Sequence, residues 1–348
     1  MEFRNPITAR RKIRQFSREL AGRCGKDARF LERDIIAAKR LNHISLDEYE
    51  WVGYYDMTTD QKKTVSTLWT RAELRKKFTH RLYKGVLMNK YIFSKVFSDY
   101  YGRKCLSTEG MTREQFDELV GDGEKIVYKP LNKGQGLGVR IISVKDEAER
   151  TAAYEKLLTM KPGIIEEFIL QHPELNRLNP NAVSIVRFYS VCTPAGAYVF
   201  SPVLTTSITK NISNGCQDAL TALIDIRTGE VITDAVDQIN IADHAVHPAT
   251  GVPFKGFMIP YWDECVAMMK KVVPEAYYIS NIGWDVAITE NGPLIIEANT
   301  IPGFNTAQYR GYKSVTNGYM YQPIFDEAMK GVPFTDFANY EKVLIKIR

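Results

Sequence analysis

The stretch GWDVAITENGPLIIEANTIPG, residues 283–303, decides the fold of this chain. It contains two apolar runs, WDVAI and PLIIEAN, separated by the turn sequence TENG. An Asn-Gly pair between two apolar runs is a strong hairpin signal, because both residues accept the positive φ angles that a two-residue turn requires. Asn291 and Gly292 supply that pair. We therefore predict a β-hairpin here, and the other motifs of the chain are interpreted around it.

Three polar side chains of this hairpin form a predicted metal site. Glu297 and Asn299 lie two residues apart, and residues two apart on a strand point to the same face. Asp285 lies on the first strand, close enough across a short hairpin to join them. Two carboxylates and an amide are hard oxygen ligands that suit Mg²⁺, an ion that usually shares its site with substrate phosphates. The pattern predicts magnesium and a nucleotide, with solvated strand-end residues as the alternative.

The composition is that of an ordinary globular protein. The chain has 348 residues, 45% of them hydrophobic and 25% charged, which is enough for two or three packed subdomains. No apolar run approaches the roughly 20 residues that span a membrane, and the basic N-terminus lacks the apolar core of a secretory signal. The cysteines are scattered without a C-x-x-C pair, which predicts reduced thiols in a cytoplasmic protein. They are Cys24, Cys105, Cys192, Cys216 and Cys265.

The charge is uneven along the chain. Residues 1–104 hold 24 Lys and Arg against 12 Asp and Glu, whereas residues 105–348 hold 22 against 29. A basic N-terminal third favours either a solvated helical face or contact with an anionic surface or polyanion. No nucleic-acid-binding motif accompanies it, so nucleic acid is not expected as a partner. The residues that would make a peripheral anionic contact are Arg10, Arg11, Lys12 and Arg14.

The N-terminal part of the chain has helical periodicity. Apolar residues recur at intervals of three and four over residues 6–41, which predicts two helices. The segment TTDQKKTVSTLWTRAELRKKF predicts one further helix, capped by Thr58 or Thr59. Residues 81–104 continue in helical style and are expected to stop near Gly102.

From about residue 105, strands and helices mix, which predicts an α+β fold class. Short apolar runs predict strands at KIVYKPL, VRIISV, GIIEEFIL, NAVSIVRFYSVCT and AGAYVFSPVLTTS. The sequence TALIDIRTGEVITDAV predicts a hairpin across Arg227-Thr228-Gly229. Helices are predicted at EGMTREQFDELV, EAERTAAYEKLLTM and YWDECVAMMKKVVPEA.

A glycine-rich loop, NKGQGLG, separates two of the predicted strands. Glycine is required where the backbone turns with positive φ or approaches a phosphate closely, and successive N–H groups in such a turn bind anions. Lys129, at the end of the preceding strand, can add its charge to the same phosphates. The loop is neither a P-loop nor a dinucleotide fingerprint, because G-x-x-x-x-G-K-[ST] is absent and a strand follows. Phosphate cradling by Gly134, Gly136 and Gly138 is the prediction, with turn chemistry alone as the alternative.

The strand GIIEEFIL carries two adjacent glutamates in an apolar context. Glu166 and Glu167 point to opposite faces, so one of them can face a cleft. An extended segment in a cleft can hydrogen-bond adenine through its backbone, while Phe168 and Ile169 supply apolar contact. Arg187 is a lone charge in another strand-like run, and burying it unpaired would be costly. We expect it either to face solvent or to meet an anion in a cleft.

The order of these pieces resembles the ATP-grasp superfamily. More closely, PNAVSIVRFYSV, HPATGVPFKGFMIPYWDE and ISNIGWDVAITENGPLIIEANTIPGFNTAQ are similar to its sugar-transfer-associated branch, which is linked to polysaccharide and cell-surface glycan pathways. The resemblance is best over about residues 81–315. It implies an ATP-grasp fold, in which two α+β subdomains clamp ATP, after a basic and mainly helical N-terminal region.

The resemblance implies a division into four parts. Residues 1–80 would be the basic helical N-terminal region, and 81–125 the linker and N-terminal part of the ATP-grasp module. Residues 126–200 would be the small lid subdomain with the glycine-rich loop. Residues 201–348 would be the C-terminal subdomain with the magnesium site.

Matching positions imply roles in binding the phosphates of ATP. Lys129 is similar to the strand lysine that contacts the α- and β-phosphates. Lys90 is similar to an earlier ATP-binding lysine, with Lys95 as its rival and Asn89 in place of an acidic residue that often precedes it. The flexible loop that closes over the triphosphate would contain Gly134, Gly136 and Gly138.

The resemblance also implies an adenine hinge formed by Glu166, Phe168 and Ile169, with Glu167 as the alternative register. Glu174 could bind the ribose. The set Asp285, Glu297 and Asn299 matches the residues that hold one or two Mg²⁺ ions on the β- and γ-phosphates. Arg187 is similar to the arginine that steadies the transferring phosphoryl group.

One position departs from the family pattern. Many peptide-ligase members carry an arginine two residues before the first metal-binding aspartate, where this chain has Gly283. Another cation would then serve the acyl phosphate, and the candidates are Arg187, Lys210 and Arg310.

The polar stretches TKNISNG and NTAQYR are predicted to line an acceptor pocket beyond the γ-phosphate, with loop turn chemistry as the alternative. Their candidate substrate ligands are Asn211, Asn214, Asn305 and Gln308. His244 and His247 are expected to be structural or solvated, because no third metal ligand accompanies them.

The favoured function is carboxylate–amine ligation, in which ATP and Mg²⁺ convert a carboxylate into an acyl phosphate and an amine or amine-bearing glycan precursor attacks it. A kinase of the same fold is the second hypothesis, and the missing arginine favours it. The third is a module that binds an anionic surface or polyanion and retains a vestigial nucleotide site. The complete set of Lys129, Asp285, Glu297 and Asn299 argues against the third.

Overall fold

A computed structural model describes residues 6–131, 137–208, 219–237, 239–303 and 305–347. The chain forms two compact units, which are considered separately. The first unit contains 1–78, 193–196 and 303–342, and the second contains 79–192, 197–302 and 343–348. The division into four parts stays a prediction.

The described residues contain thirteen α-helices, and five of these lie within residues 1–78. In chain order they are α1 (Pro6–Cys24), α2 (Ala28–Asn42), α3 (Leu46–Trp51), α4 (Thr59–Lys63), α5 (Leu68–Phe78), α6 (Lys84–Met88), α7 (Lys90–Val96), α8 (Ser98–Tyr101), α9 (Arg113–Val120), α10 (Glu147–Thr159), α11 (Pro173–Leu178), α12 (Trp262–Glu275) and α13 (Gln322–Lys330). Short 3₁₀ turns lie at Tyr54–Asp56, Asn305–Gln308 and Arg310–Tyr312.

Twelve β-strands lie in the same described ranges. They are β1 (Cys105–Ser107), β2 (Lys125–Pro130), β3 (Arg140–Ser143), β4 (Gly163–Glu167), β5 (Ile185–Thr193), β6 (Gly196–Ser207), β7 (Ala219–Leu223), β8 (Ala235–Asp237), β9 (Ala242–His244), β10 (Asn281–Thr289), β11 (Gly292–Asn299) and β12 (Leu344–Lys346). The predicted α+β class and the helical N-terminal region are confirmed.

Two sheets build the second unit. Across the described residues, the small sheet has the order β1-β4-β2-β3, and the large sheet has the order β11-β10-β5-β6-β7-β8-β9, with β12 paired to β6. Every pairing with a determined register is antiparallel. The predicted hairpin is confirmed: Thr289 pairs with Gly292 at its turn, and β10 also pairs with β5.

The hairpin is anchored by the apolar core that one face of β10 joins, although both faces of this strand are buried. Trp284 is fully buried and its indole N–H donates to the Ser190 hydroxyl at 2.9 Å. Val286 and Ile288 follow at alternate positions and belong to the same apolar core. Burial of side chains of this size stabilises the fold by roughly 1.5–3 kcal/mol each. Because the core takes the even-numbered residues of β10, Asp285 is presented on the opposite face.

The single helix predicted over 58–78 is wrong, because the chain forms α4 and α5 with a break between them. Thr58 caps α4 in a capping box with Gln61, one of the two predicted caps. The break is held by the Gln308 side chain, whose amide accepts from the Ser66 N–H at 2.9 Å and donates to the Ser66 carbonyl at 2.8 Å. These bonds occupy backbone groups that a continuous helix would use internally.

Two further boundaries differ from expectation. The helical run over 81–104 is divided into α6, α7 and α8, and the division before α7 occurs at Asn89, whose side chain accepts from the first N–H groups of that helix. The run ends at Gly102 with a left-handed φ of 61°, as expected. The strand GIIEEFIL ends at Glu167, so Phe168 and Ile169 follow the strand rather than extend it.

None of the helices in the described part of the chain has the length and apolarity needed to cross a bilayer. Cys24, Cys105, Cys192 and Cys265 form no disulfide within the described residues, and Cys216 lies outside them. The four basic side chains Arg10, Arg11, Lys12 and Arg14 are exposed on α1. Contact between them and an anionic surface stays a prediction.

Candidate active site

A cavity of about 500 Å³ lies within the second unit, between the small sheet and the β10–β11 hairpin of the large sheet. Its charged lining comprises two lysines and several carboxylates, among them Lys90, Lys129, Asp285 and Glu297. Its apolar lining includes Val127, Val139, Ile141, Phe168, Val183 and Ile296. The fold thus brings together, around one cavity, side chains from positions 90 to 297 that the sequence analysis selected separately.

Lys129 is held at the small sheet by Glu166. The Lys129 Nζ lies 2.8 Å from Glu166 Oε2, and the pairing of β2 with β4 brings the two strands side by side. The Glu166 side chain is 2% exposed. Its other partners are Tyr101, whose hydroxyl donates to Oε1 at 2.5 Å, and Arg103, whose Nε donates to Oε2 at 3.0 Å. Glu166 is therefore the counter-ion of two cations, and its predicted contact with adenine stays a prediction.

Sequence reasoning missed both Arg103 and Tyr101. Arg103 is buried, and its terminal nitrogens donate to the carbonyls of Tyr101, Ile295 and Ile296 at 2.9–3.2 Å. The guanidinium also lies 3.6 Å from the centre of the Tyr101 ring. The only local sign in the sequence is that Arg103 directly follows Gly102, at the end of a helical run. This position does not indicate which distant residues Arg103 contacts.

The charges around this cluster shift its pKa values. Burial alone would raise the pKa of the Glu166 carboxyl, but Lys129 and Arg103 outweigh burial and lower it to about 2. Burial lowers the pKa of Lys90, opposed by the nearby Glu297 carboxylate. Both directions are those expected where several charges share a site that is largely removed from water.

The segment after β4 forms an apolar part of the cavity. Glu167, Phe168 and Ile169 all line it. The Glu167 carboxylate accepts from the Lys104 backbone N–H at 2.7 Å, and the Lys125 Nζ lies 5.4 Å from the Phe168 ring centre. The backbone of Ile169 makes no hydrogen bond with any described residue, so its N–H and carbonyl are available to a ligand.

The hairpin brings the predicted metal ligands together. Asp285 is paired directly with Glu297, and Gly283 with Asn299. The Asn299 side-chain amide donates to Glu297 Oε1 at 3.2 Å. Asp285 and Glu297 also line the cavity. The predicted shared face of Glu297 and Asn299 is consistent with this contact between their side chains.

Arg187 is partly buried and paired with a carboxylate of the protein itself, and it does not line the cavity. It lies opposite Asp285 in the β5–β10 register, and its Nε and one terminal nitrogen donate to the two Asp285 oxygens at 2.6 and 2.7 Å. Burial lowers the pKa of Arg187, but the Asp285 carboxylate outweighs it and raises that pKa. This two-bond geometry is the strong form of an arginine–carboxylate pair.

The donor set fits Mg²⁺ by its chemistry, because Asp285 and Glu297 offer hard carboxylate oxygens at the cavity and the Asn299 amide, which does not line it, lies against Glu297. In the described part of the chain, no group of three His, Cys, Asp or Glu side chains is placed to share an ion. The predicted set of Asp285, Glu297 and Asn299 is not such a group, because its third member is an amide. A metal here would share the Asp285 oxygens with Arg187 or replace it.

Gly283 is tightly enclosed. A Cβ atom at this position would lie 2.6 Å from the Cβ of Pro302, closer than real Cβ contacts allow. The position therefore excludes an arginine unless the backbone moves. The absence of an arginine two residues before Asp285 is built into the packing of the hairpin against the segment that follows it.

The other predicted nucleotide ligands have different surroundings. Gly138 has a positive φ of 83°, whereas Gly134 and Gly136 lie outside the described residues. Lys95 is exposed and lies over the Tyr91 ring, while its rival Lys90 lines the cavity. Glu174 pairs with Arg177 at 2.7 Å on α11 and is not among the residues that line the cavity.

Of the predicted acceptor residues, Asn305 and Gln308 fall in the described part of the chain, and both lie in the first unit. Lys210, Asn211 and Asn214 lie outside the described residues, and Asn305 begins a 3₁₀ turn in the first unit. Gln308 is 2% exposed, and its amide is bonded to both the N–H and the carbonyl of Ser66. Its predicted contact with a substrate stays a prediction.

Arg310, also in the first unit, donates to the Tyr55 hydroxyl at 3.0 Å. His244 and His247, the two histidines considered from the sequence, have different surroundings. His247 is buried with Nε2 3.0 Å from the Ser207 carbonyl, and the buried Nε2 of His244 has no hydrogen-bond partner among the described atoms.

Comparison with known proteins gives a family match and several similar structures. The family model described as sugar-transfer associated ATP-grasp matches residues 70–319. A comparison with curated protein sequences finds no match. Among solved structures, D-alanine–D-alanine ligase from Bacillus anthracis with ATP is 14% identical, with a TM-score of 0.43 and coverage of 73% of this chain and 68% of that one. VanG D-Ala:D-Ser ligase from Enterococcus faecalis is 14% identical, with a TM-score of 0.44 and coverage of 72% and 63%.

Proposed function

The chain belongs to the sugar-transfer associated ATP-grasp family, and from that premise we propose that it is an ATP- and Mg²⁺-dependent carboxylate–amine ligase. The observation that carries the proposal is the distribution of charge around one cavity. Lys90, Lys129, Asp285 and Glu297 all line that cavity. In this proposal the two lysines meet the phosphates and the two carboxylates meet a metal cation. A nucleotide triphosphate with its metal carries both kinds of charge and needs both kinds of partner.

The proposed reaction has two steps. An oxygen of the substrate carboxylate attacks the γ-phosphorus of ATP, which breaks the bond to the β-phosphate oxygen and gives an acyl phosphate and ADP. The amine then attacks the acyl carbon, the carbon–oxygen bond to phosphate breaks, and the amine gives up a proton. The products are an amide, ADP and phosphate.

The residues of the cavity contribute mainly by placing charge. Lys129 and Lys90 would oppose the negative charge of the phosphates, and Arg187 would steady the phosphoryl group as it moves. When bound, Mg²⁺ supplies charge neutralisation at the β- and γ-phosphates through Asp285, Glu297 and Asn299. The apolar residues around Phe168 would hold the adenine ring, with the free backbone groups of Ile169 as its hydrogen-bond partners.

The substrates are proposed more broadly. The family description associates this branch with sugar transfer, which supports a place in the biosynthesis of a polysaccharide, surface glycan or related product. The carboxylate would then be a uronic acid or an amino acid, and the amine an amino acid or amino sugar. The cation that would serve the acyl phosphate is Arg187, Arg310 or Lys210.

A kinase is the second candidate, and the packing of Gly283 favours it. The contact with Pro302 excludes the arginine that would stabilise an oxyanion two residues before Asp285. A kinase transfers the phosphoryl group to a stable acceptor and has less need of that arginine.

A hydroxylamine-trapping screen tests the proposal. The protein, ATP, Mg²⁺ and hydroxylamine are incubated with pools of amino acids, uronic acids and nucleotide-activated uronic acids, and the products are identified by mass spectrometry. A hydroxamate together with ADP and phosphate supports the ligase and identifies the activated carboxylate. A stable phosphorylated product without hydroxamate supports the kinase instead. The Asp285→Asn variant serves as the inactive control.

A further inference from the structure

Arg103 lies behind the cavity wall rather than on it. Its side chain is 3% exposed and does not line the cavity. One donor reaches Glu166 on β4, and two others reach the carbonyls of Ile295 and Ile296 on β11. A single guanidinium thus bonds the small sheet, which carries Lys129, to the hairpin that carries the predicted metal ligands. Arginine suits this position because its five donors lie in a fixed plane.

Glu166 has more partners than it needs to remain paired. Its carboxylate receives hydrogen bonds from Tyr101, Arg103 and Lys129. Of these three donors, Lys129 alone lines the cavity. If the Lys129 ammonium moves to a ligand, Glu166 still holds Arg103 and Tyr101. A buried carboxylate without a partner would be strongly unfavourable, so these two residues lower the free-energy cost of releasing Lys129.

We propose that Arg103 is a positioning residue that sets how tightly Glu166 holds Lys129, and thereby how readily the Lys129 ammonium engages the phosphates of ATP. The inference rests on the proposed function only in taking ATP as the ligand of the cavity. The negative charge of Glu166 is shared between two cations when Arg103 is present. Without Arg103, the same charge falls on Lys129, which then exchanges its carboxylate partner for phosphate less readily.

If Arg103 and Glu166 act in this way, substitutions of the two residues change the affinity for ATP in opposite directions. Arg103→Gln leaves Glu166 with Lys129 as its single cation, so ATP binding weakens. Glu166→Gln frees Lys129 and removes a negative charge near the phosphates, so ATP binding strengthens. Both substitutions lower thermal stability, because Glu166→Gln leaves the buried Arg103 without its counter-ion and Arg103→Gln removes the bonds to Glu166 and to the carbonyls of β11. A role in stability alone would not give opposite signs for binding.

The experiment measures the dissociation constant of ATP with Mg²⁺ by isothermal titration calorimetry, and the melting temperature of each variant without nucleotide. The variants are Arg103→Gln, Glu166→Gln and the double variant. Arg113→Gln is the matched control, because Arg113 pairs with Asp117 and Glu147 on the surface and does not line the cavity. Each variant is first checked for native circular dichroism.

We expect Arg103→Gln to weaken ATP binding by roughly tenfold, which is the effect of losing about one charged hydrogen-bond contribution. Glu166→Gln strengthens binding severalfold, the double variant returns to within about threefold of the wild type, and Arg113→Gln is unchanged. Wild-type affinity in Arg103→Gln would overturn the inference and leave Arg103 a structural residue. Weaker binding in Glu166→Gln would overturn it too, because Glu166 would then contact the nucleotide itself.

A further variant, Arg103→Lys, and the ATP affinity of the wild type serve as additional tests. If Arg103→Gln does not fold, Arg103→Lys preserves the charge but not the three carbonyl contacts, and the double variant removes both charges together. Under the inference, Arg103→Lys binds ATP more tightly than Arg103→Gln, and equal loss in both contradicts it. A wild-type protein that fails to bind ATP overturns the proposed function, whereas wild-type binding with no effect of Arg103 overturns this inference alone.

Discussion

The two charged clusters of the cavity have opposite composition. At the small sheet, one carboxylate, Glu166, is bonded by two cations, Lys129 and Arg103. At the hairpin, one cation, Arg187, is bonded by Asp285, and a second carboxylate, Glu297, is paired beside it. The first cluster has an excess of positive charge and the second an excess of negative charge. In each cluster the minority charge is paired: Glu166 is buried and accepts from three donors, and Arg187 is partly buried and donates to both oxygens of Asp285.

The difference shows how one cavity can be prepared for both halves of a metal–nucleotide complex. Burying unpaired cations alone would be strongly unfavourable in free energy, and so would burying unpaired carboxylates alone. A resident counter-ion removes most of that cost and must yield when the ligand arrives. Glu166 is in this position at the lysine cluster, and Arg187 is in this position at the hairpin.

The largest expected effect is that of Asp285→Asn. The substitution removes a proposed metal ligand and leaves the partly buried Arg187 guanidinium without its carboxylate, so we expect ADP formation to fall by about 1,000-fold or more. Binding of Mn²⁺, measured by electron paramagnetic resonance, should fall with it. Asp263→Asn is the matched control, because Asp263 is exposed on α12. Wild-type Mn²⁺ affinity in Asp285→Asn would remove the hairpin from the metal site.

The next effect is that of Lys129→Met. Glu166 keeps Arg103 and Tyr101, so the fold should tolerate the change, while the phosphates lose one cation. We expect the dissociation constant of ATP to rise by roughly 30-fold, in line with about 2 kcal/mol for a charged contact. Lys156→Met on the exposed face of α10 should leave it unaltered. An equal loss in both variants would mean that long-range charge, and not the position of Lys129, matters.

Acid titration tests the cluster at the small sheet. The Glu166 carboxyl has a pKa of about 2 in the folded protein and about 4.3 in an unfolded chain, so the stability it contributes is fully present above the unfolded value and is lost as pH falls toward 2. Between pH 5.5 and 3, the free energy of unfolding of the wild type should fall by about 2 kcal/mol more than that of Glu166→Gln. Urea unfolding at each pH measures it, and parallel pH curves would contradict it.

The hairpin cluster was the more predictable of the two from sequence. The sequence TENG located the turn, although its two loop residues are Glu290 and Asn291, and Gly292, with a φ of 105°, already begins β11. Alternation placed Glu297 beside Asn299. Once the turn is known, the pairing of Asp285 with Glu297 follows to within the local bulge. All the information lies within twenty-one consecutive residues, where local patterns determine the register.

The lysine cluster depends on contacts that no local pattern encodes. Arg103 donates to the carbonyls of Ile295 and Ile296, which are 192 and 193 residues away along the chain.

A second long-range contact, in the first unit, was equally hidden from the sequence. Gln308 bonds Ser66 over a separation of 242 residues, and this bond explains why one predicted helix is two. Backbone carbonyls are present at every position, so the sequence cannot mark which of them an arginine or an amide will find.

The smallest expected effect concerns the hairpin's own packing. Gly283→Ala places a methyl group where the distance to the Pro302 Cβ is 2.6 Å, and the rigid proline ring cannot rotate away, so the backbone must shift. We expect a loss of about 1–2 kcal/mol in the free energy of unfolding in urea, the usual cost of an overpacked site. Gly85→Ala is the control, because a Cβ there meets open space within α6 and should be neutral or slightly stabilising. If Gly283→Ala is as stable as the wild type, the hairpin has room for a side chain, and the argument from packing that favours a kinase loses its basis.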